Sequence, residues 1–382
     1  MAALPPVALR AVTSIVVRTI SAADHLDFVR ARRSASFLQT PGWGEVKNDW
    51  QQESLGWYDG DAIVGVGLVL YRQIPLLKRY LAYLPEGPVL DWDRPDLHSL
   101  LQALATYARR KGAFAVRMGP QVPLRSWSAE TIKKAIADSG SRRLSDVPAD
   151  ERMATGHLVA EALRSTRWRP LASAVGFSSG QPQFVFQIPL SGRTPDDVLS
   201  GMNQLWRRNI KKADKLGVVV TQGAAGDIPA FHQLYVETAR RDSFTPRPLG
   251  YFQQMFTALL AEDPDRIRLY LAHHEGDLVA AATWVKVGRH TWYSYGASST
   301  TKREVRGSNA IQWRMICDSI EAGADVYDLR GITETLDSDD PHIGLIQFKV
   351  GTGGRAVEYV GEWDLPLNRL LYTGFQAYMS RR

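Results

Sequence analysis

GLIQFKVGTGGR, residues 344–355, places a single lysine, Lys349, between an apolar run and a glycine-rich turn near the end of the chain. We predict a buried strand followed by a turn whose glycines let the backbone approach a neighbouring group closely. Phe348 would exclude water beside the Lys349 ammonium, which gives a shielded cation. The alternative is a strand with a solvated lysine that leads into an ordinary turn.

The chain around this stretch has 382 residues, more than a single hydrophobic core usually holds, and 45% of them are apolar, enough for two cores. Cys317 is the only cysteine, which excludes a disulfide framework and a cysteine-based zinc site and fits a reducing, cytoplasmic location. No window approaches the roughly 20 apolar residues of a membrane span. The start of the chain, interrupted by two prolines and Arg10, does not resemble a signal peptide.

Basic residues outnumber acidic ones by 46 to 40, which gives a net charge of +6. This excess favours anionic partners such as phosphates, nucleic acid or an acidic membrane surface. Because many basic proteins bind none of these, the positions of the charges matter more than their total.

Strands and helices alternate along the chain, which predicts an α/β fold with mixed sheets. Strands at residues 53–58 and 62–71 flank an Asp-Gly-Asp turn, and strands at 267–273 and 278–287 flank a Glu-Gly-Asp turn. This short self-similarity favours two copies of one α/β unit over a single large sheet. Residues 121–176 are rich in proline, serine and charge, so we predict an inserted loop that connects two domains there.

Two further stretches carry cations in unusual settings. SFLQTPGWGEVK, residues 36–47, predicts a strand-like start, a Pro-Gly break and a short aromatic helix that presents Lys47, although a solvated lysine is the alternative. RRDSFTPRPLGY, residues 240–251, uses two prolines to fix a loop and restrict where Thr245, Arg247 and Tyr251 can point. A guanidinium, a hydroxyl and a phenol on a rigid loop suit a pyrophosphate or carboxylate, whereas the alternative is a helix start with Arg247 on the surface.

A third basic stretch, residues 203–215, predicts a helix with an apolar face on one side and a cationic stripe on the other. The spacing i, i+3, i+4 and i+7 places four basic residues on that stripe: Arg208, Lys211, Lys212 and Lys215. A solvated face explains many such stripes, but the nearly unbroken positive sign leaves little internal compensation. A phosphate backbone is the natural partner.

The sequence predicts no metal site and no cofactor. The loop at residues 333–340 clusters aspartates, among them Asp337 and Asp339, that could act as a base or bind Mg²⁺, but a solvated acidic loop accounts for them better. We interpret Cys317, on a predicted helix at 308–322, as a packing residue.

The chain resembles the Fem-type aminoacyltransferases, which extend the stem peptide of peptidoglycan precursors with amino acids from aminoacyl-tRNA. The resemblance runs along most of the chain in family order. The matching stretches are SFLQTPGWGEVK, LWRRNIKKADKLGV, RDSFTPRPLGY, YSYGASS, GLIQFKVGTGGR and YVGEWDLPLN.

The resemblance implies two acetyltransferase-like (GNAT) domains, at residues 1–160 and 161–362, with a C-terminal helix within about 363–382 that packs back on the first. Residues 215–231 leave no room for the coiled-coil arm of some members, so the chain resembles the compact type. It also implies a monomer without a cofactor.

The resemblance further implies roles for individual residues. Lys47 matches a lysine on the precursor's phosphates, and Thr245, Arg247 and Tyr251 match a group that holds the same nucleotide-linked substrate. Tyr295 matches a further substrate tyrosine, with Tyr293 as the alternative. Phe348 and Lys349 match the pair implicated in transfer, where the lysine meets the aminoacyl-tRNA end, and the stripe at Arg208 would serve the tRNA.

One departure from the family pattern concerns the proton acceptor. Related chains often carry an acid before the proline that ends the last strand of the first domain, whereas this chain has Gly119. The attacking amine has a free pKa of about 10.4 and must lose a proton. Asp337, Asp339, a water or a substrate group could accept it. Lys349 would instead stabilise charge that develops on the carbonyl or the departing ribose oxygen.

Two other functions remain open from sequence. A CoA-dependent N-acetyltransferase would need a pyrophosphate-binding loop, and the nearest stretch, residues 304–309, has the wrong first and last residues. A non-catalytic RNA-binding protein would have no need of the Arg247 loop. The transferred amino acid, a lysine or diaminopimelate acceptor, and UDP-MurNAc-pentapeptide or lipid II as substrate also stay open. Residues 76–84 could touch the inner membrane face, although a buried strand explains them better.

Overall fold

The computed structural model describes residues 15–75, 77–138, 140–171, 180–340 and 343–379. The predicted α/β class is confirmed, because two mixed sheets of eight and nine strands are covered by helices. The start of the chain, where no signal peptide was predicted, lies outside the described residues up to position 14. Among the described residues, no helix is long and apolar enough to cross a bilayer.

The strands are β1 (Val16–Thr19), β2 (Gln51–Asp59), β3 (Ala62–Gln73), β4 (Tyr80–Leu84), β5 (Val89–Leu90), β6 (Ala113–Met118), β7 (Pro123–Ser128), β8 (Glu151–Arg152), β9 (Arg169–Pro170), β10 (Phe184–Pro189), β11 (Val219–Gly223), β12 (Ile267–His274), β13 (Asp277–Val287), β14 (His290–Ser298), β15 (Val326–Ile332), β16 (Arg355–Tyr359) and β17 (Trp363–Pro366). The helices are α1 (Ala22–Arg30), α2 (Pro41–Val46), α3 (Leu97–Arg110), α4 (Ala129–Ala137), α5 (Ala154–Ser165), α6 (Pro195–Gly201), α7 (Gln204–Lys215), α8 (Ile228–Arg241), α9 (Leu249–Glu262), α10 (Gly307–Glu321), α11 (Ile343–Val350) and α12 (Arg369–Met379).

Both predicted hairpins are present. Asp59 pairs with Ala62 and His274 with Asp277, so each hairpin closes through a two-residue turn. Gly60 and Gly276 adopt positive φ there, the backbone conformation that tight hairpin turns require and that glycine accepts at little cost.

The first sheet has the order β1-β2-β3-β4-β6-β17-β9, with β5 on β3, and the second has the order β11-β12-β13-β14-β15-β10-β16-β7-β8. The two sheets exchange chain segments at their junction. β7 and β8 come from the first half of the chain but pair in the second sheet, whereas β9 and β17 pair in the first. The division at residue 160 therefore stays a prediction.

The prediction of an inserted loop over residues 121–176 was wrong. Where the structure describes this segment, it contains β7, α4, α5 and the short strands β8 and β9. Trp127, Ile132 and Leu163 are buried there, so the segment belongs to the cores. Its prolines and charges lie at the ends of short elements, and this composition hid the apolar periodicity.

The prediction of a strand around Lys349 was also wrong, because this stretch forms α11. Ile346, Lys349 and Val350 are buried, which is the i, i+3, i+4 spacing of one helical face. A short apolar run next to glycines does not distinguish a buried strand from a buried helix. The chain turns after α11 through Gly353, whose φ is +76°, and enters β16 at Arg355. Phe37–Gln39, predicted as strand-like, is likewise a 3₁₀ turn.

α12 packs against β6 of the first sheet through a small cluster that contains Leu81, Phe114 and Tyr372. Leu81, Ala82 and Leu84 are buried in β4, as a buried strand within residues 76–84 requires. Leu76 lies outside the described residues.

Candidate active site

Two parallel strands separate at the centre of the second sheet. Only the first part of β14, His290–Trp292, pairs with β15, at Val326–Asp328. Beyond this pairing, β14 continues to Ser298 and β15 to Ile332. Tyr295 and Arg330 follow the last paired residues on the two strands. Beyond Trp292, the two strands are no longer hydrogen-bonded to each other, so their backbones can flank a ligand.

Lys349 lies beside the β15 side of this opening. Its side chain is 4% exposed, and Nζ donates to the carbonyl oxygens of Gly331 at 2.6 Å and Arg330 at 3.3 Å. The pKa of Lys349 is lowered to about 7, chiefly by burial; the Asp328 charge opposes this shift, and the Arg330 charge contributes to it. An amine with this pKa is close to half protonated at neutral pH and can release or hold a proton.

Arg330 and Glu86 form an ion pair between the halves of the chain that sequence reasoning missed. Arg330 Nη1 lies 2.8 Å from Glu86 Oε1, and Glu86 Oε2 accepts hydrogen bonds from Ser36 at 2.5 Å and Gln121 at 2.8 Å. Both Glu86 and Arg330 adopt positive φ, which non-glycine residues seldom do. Each precedes a glycine, a weak signal that gives no indication of their pairing across 244 positions.

Lys47, Arg247, Tyr251 and Tyr295 form a second cluster on the β14 side. Lys47 Nζ lies 5.0 Å from the centre of the Tyr251 ring, the Arg247 guanidinium lies 5.4 Å from the same centre, and the hydroxyls of Tyr251 and Tyr295 are 3.0 Å apart. Burial lowers the pKa of Lys47 to about 8, with a further contribution from the Arg247 charge. Two cations on one ring form a site for an anion.

Close packing of α2 on α9 brings Lys47 into this cluster. The Gly42 N–H donates to Glu262 Oε2 at 2.5 Å, and Glu262 lies 3.0 Å from Arg266 in a buried ion pair. A β-carbon at Gly42 would lie 2.8 Å from Glu262 Oε2, so the glycine permits this approach. Lys47, the residue after α2, is therefore held by a contact between the two halves.

A chain of aromatic contacts joins the two clusters. The Arg330 guanidinium lies 5.6 Å from the Phe37 ring, Phe37 and Trp43 are 5.3 Å apart between ring centres, and Lys47 Nζ lies 5.2 Å from the Trp43 ring. Phe37 also contacts Trp292, at the point where β14 and β15 separate. The contacts thus lead from Lys349 to Lys47 through Arg330, Phe37 and Trp43.

The predicted cationic stripe lies on α7. Its four basic residues are all exposed: Arg208, Lys211, Lys212 and Lys215. Within the part of the chain that the structure describes, none of them is within ion-pair distance of a carboxylate. On the opposite face, Trp206 Nε1 donates to the Phe348 carbonyl at 2.8 Å, and the Trp206 and Phe348 rings are 4.8 Å apart. The stripe is therefore attached to the helix that carries Lys349.

The remaining predicted candidates have different surroundings. Thr245 is exposed on its loop, and Tyr293 packs against a different hydrophobic core from Tyr295. Asp337 accepts a hydrogen bond from the Asp339 N–H within the acidic loop, which is a local turn. Among the described residues, no group of three or more His, Cys, Asp or Glu side chains is placed to hold a metal ion. Burial raises the pKa of Cys317 to about 11, as suits a packing residue.

The model of the FemAB family matches residues 20–275 and 265–379 of this chain. Among curated proteins, the UDP-N-acetylmuramoylpentapeptide-lysine N(6)-alanyltransferase of Weissella viridescens is 30% identical, over 91% of this chain and 94% of that protein. The lipid II:glycine glycyltransferase of Staphylococcus saprophyticus is 24% identical, over 91% of this chain and 92% of that protein.

Solved structures show the same fold. The crystal structure of FemX has a TM-score of 0.78 at 21% identity and covers 94% of this chain and 98% of its own. A tandem GNAT protein from the clavulanic acid biosynthesis pathway has a TM-score of 0.51 at 11% identity and covers 92% of this chain and 98% of its own. These likenesses support the arrangement of two GNAT-like sheets.

Proposed function

Because the chain belongs to the FemAB family, we propose that it transfers an amino acid from an aminoacyl-tRNA to the side-chain amine of the stem peptide in a peptidoglycan precursor. The precursor is UDP-MurNAc-pentapeptide or lipid II, the two substrates that the names of its relatives specify. The observation that carries the proposal is the convergence of Lys47 and Arg247, from opposite halves of the chain, on the single ring of Tyr251.

The Lys47 cluster would bind the phosphates of the precursor. Two neighbouring cations repel one another, and this repulsion contributes to the lowered pKa of Lys47. A diphosphate removes the repulsion and accepts hydrogen bonds from the guanidinium and the tyrosine hydroxyls. Thr245, on the same proline-fixed loop as Arg247, would reach the ligand once it is bound.

The α7 stripe would bind the tRNA. Its four exposed basic residues can neutralise backbone phosphates, and the Trp206–Phe348 contact connects the helix directly to α11. A tRNA on the stripe would have its aminoacyl end near Lys349, on the β15 side of the opening. Phe348, which is 36% exposed, would shield the ester from water.

In the reaction, the stem-peptide amine attacks the ester carbonyl of the aminoacyl-tRNA. A C–N bond forms, the C–O bond to the ribose breaks, the amine loses a proton and the ribose oxygen gains one. Lys349 would stabilise the negative charge that develops on the carbonyl oxygen and on the ribose oxygen. It would also donate a proton to the ribose oxygen, because an amine with a pKa of about 7 gives up a proton readily. One well-placed donor of this kind contributes roughly 3 kcal/mol.

The proposal is tested by incubating the purified protein with alanyl-, glycyl- or seryl-tRNA and with each precursor, containing lysine or diaminopimelate, and by weighing the products. We expect one combination to gain the mass of a single residue, and pretreatment with ribonuclease to abolish the gain. Lys349→Ala should lose most turnover while retaining the precursor-induced rise in melting temperature. If no combination gains mass, or if acetyl-CoA replaces the tRNA, the proposal is wrong.

A further inference from the structure

A small cavity lies at the junction of the two sheets, next to the Arg330–Glu86 ion pair. Glu86 follows β4, Gly119 follows β6, Tyr359 ends β16, and Glu362 lies between β16 and β17; all four line the cavity. Arg330 donates to Glu86, and its carbonyl accepts a hydrogen bond from Lys349, so one residue links the cavity wall to the group that would stabilise the transfer reaction. It holds two carboxylates with different surroundings.

Glu86 is fully engaged in contacts. Its two oxygens accept hydrogen bonds from Arg330, Ser36 and Gln121, and only 5% of its side chain is exposed. Three donors, of which Arg330 is positively charged, hold this carboxylate in place. Glu86 therefore serves to orient Arg330.

Glu362 accepts hydrogen bonds from one side chain, Tyr83, and one backbone N–H, that of Gln181. Its Oε1 accepts a hydrogen bond from the Tyr83 hydroxyl at 2.6 Å, while the nearby Arg117 guanidinium is bound through both arms to Asp364, at 2.8 Å each. Burial is the largest influence and raises the pKa of Glu362, as does the negative charge of Asp364, whereas Tyr83, Arg117 and the Gln181 N–H lower it. A carboxylate with these surroundings is suited to accept a proton.

Gly119 leaves room for the Glu362 side chain. A β-carbon at position 119 would lie 2.8 Å from Glu362 Cγ, closer than any real contact, and one at Gly180 would lie 2.1 Å from Glu362 Oε2. Glu362 therefore occupies the space that a larger residue at either position would need. Position 119 thus lacks an acid, but the Glu362 carboxylate lies beside it in the cavity.

We propose that Glu362 is the general base of the transfer reaction, which accepts the proton of the stem-peptide amine as that amine attacks the ester. The inference rests on the proposed function and adds a residue to it. The amine nitrogen forms the C–N bond and its proton passes to a Glu362 oxygen, while the ribose oxygen leaves and takes a proton from Lys349. Tyr83 and Glu86 stay in place during this step.

The test compares kinetics of Glu362→Gln with those of the parent protein under the same tRNA and precursor. General bases typically contribute 10²–10⁴-fold, so we expect kcat to fall by at least about 100-fold while the KM for the precursor is unchanged. The acid limb of the pH profile of kcat should disappear in Glu362→Gln. A variant with kcat within a few-fold of the parent would overturn the inference.

A relocated carboxylate separates chemistry from structure. Glu362→Ala frees the space beside Gly119, so adding Gly119→Asp returns a carboxylate to the cavity, and adding Gly119→Asn returns the same shape without a proton acceptor. We expect the Gly119→Asp double variant to have a kcat at least about tenfold above that of Glu362→Ala, as general-base catalysis requires. The Gly119→Asn double variant should be no faster than Glu362→Ala. Equal rescue by both would assign Glu362 a packing role and overturn the inference. If the parent protein itself shows no transfer, the proposed function fails instead.

Discussion

Replacing Lys349 with methionine should stabilise the protein at neutral pH while it abolishes transfer. Methionine fills a similar volume without a group that must be hydrated, and Lys349 is 4% exposed on a helix face it shares with Ile346 and Val350. The expectation runs against the usual outcome of a substitution in a buried position, which is a loss of stability. It therefore tests whether the amine is held there at an energetic cost.

The magnitude follows from the pKa of Lys349, which burial lowers from 10.5 to about 7. Between pH 7 and 10.5 the unfolded chain keeps the proton that the folded chain releases, so stability rises with pH across this window. A tenfold change in proton affinity corresponds to about 1.4 kcal/mol. Lys349 therefore makes the fold about 5 kcal/mol less stable below pH 7 than above pH 10.5. Methionine loses two hydrogen bonds, to Arg330 and Gly331, of about 1 kcal/mol each. We expect a net gain of roughly 1–3 kcal/mol at pH 7.

Urea unfolding of both proteins at pH 7 and pH 9.5 measures this effect. The stability of the parent protein should increase over this range by about 3 kcal/mol more than that of Lys349→Met. Lys133→Met, at an exposed position of α4, is the matched control and should leave the pH dependence unchanged. A Lys349→Met protein that is less stable at pH 7 and has the same pH dependence as the parent would refute the reasoning.

Three further expectations concern other parts of the molecule. Lys47→Met should remove the rise in melting temperature that UDP-MurNAc-pentapeptide causes, because one of the two cations on Tyr251 is lost; an undiminished rise would contradict the phosphate assignment. Replacing Lys211 and Lys212 together with glutamine should weaken tRNA binding and reduce the slope of log affinity against log salt by about 1.5, measured by filter binding, and an unchanged slope would exclude these residues from the interface. Burial lowers the pKa of His25 to about 4, so the unfolded chain binds the extra proton and stability should fall by about 3 kcal/mol between pH 6.5 and 4. His25→Gln should lack this acid-dependent loss in urea titrations, and an equal loss in both proteins would assign it to other groups.

The sequence predicted the hairpins and most helices because their signals are local. The Asp-Gly-Asp and Glu-Gly-Asp turns lie between regular apolar strands, and both hairpins are present. The helix of Lys349 was missed because eight mostly apolar residues next to glycines fit a strand or a helix equally well. Packing decides between them: Trp206 on α7 contacts Phe348, and only a helix buries Ile346, Lys349 and Val350 together.

The candidate site was only partly predictable, because its residues come from distant parts of the chain. Lys47 and Arg247 each stood out locally, beside a Pro-Gly break and between two prolines. Their meeting on Tyr251 depends on the contact between Gly42 and Glu262, which no local pattern indicates. Motif reasoning does not find an ion pair such as Arg330–Glu86, because the glycine that follows each residue gives no indication of its partner 244 positions away.

Several groups near the opening between β14 and β15 share one physical property: each is held in a state that costs folding free energy. Lys349 is desolvated, Lys47 lies beside a second cation, and Glu86 and Arg330 adopt positive φ. A fold selected only for stability would replace them, since an apolar residue at position 349 costs less to bury than an amine. The two anionic substrates that we propose would compensate the two lysines, because phosphate near an ammonium favours its charged form. The unfavourable groups therefore mark the region where the precursor and the tRNA would meet.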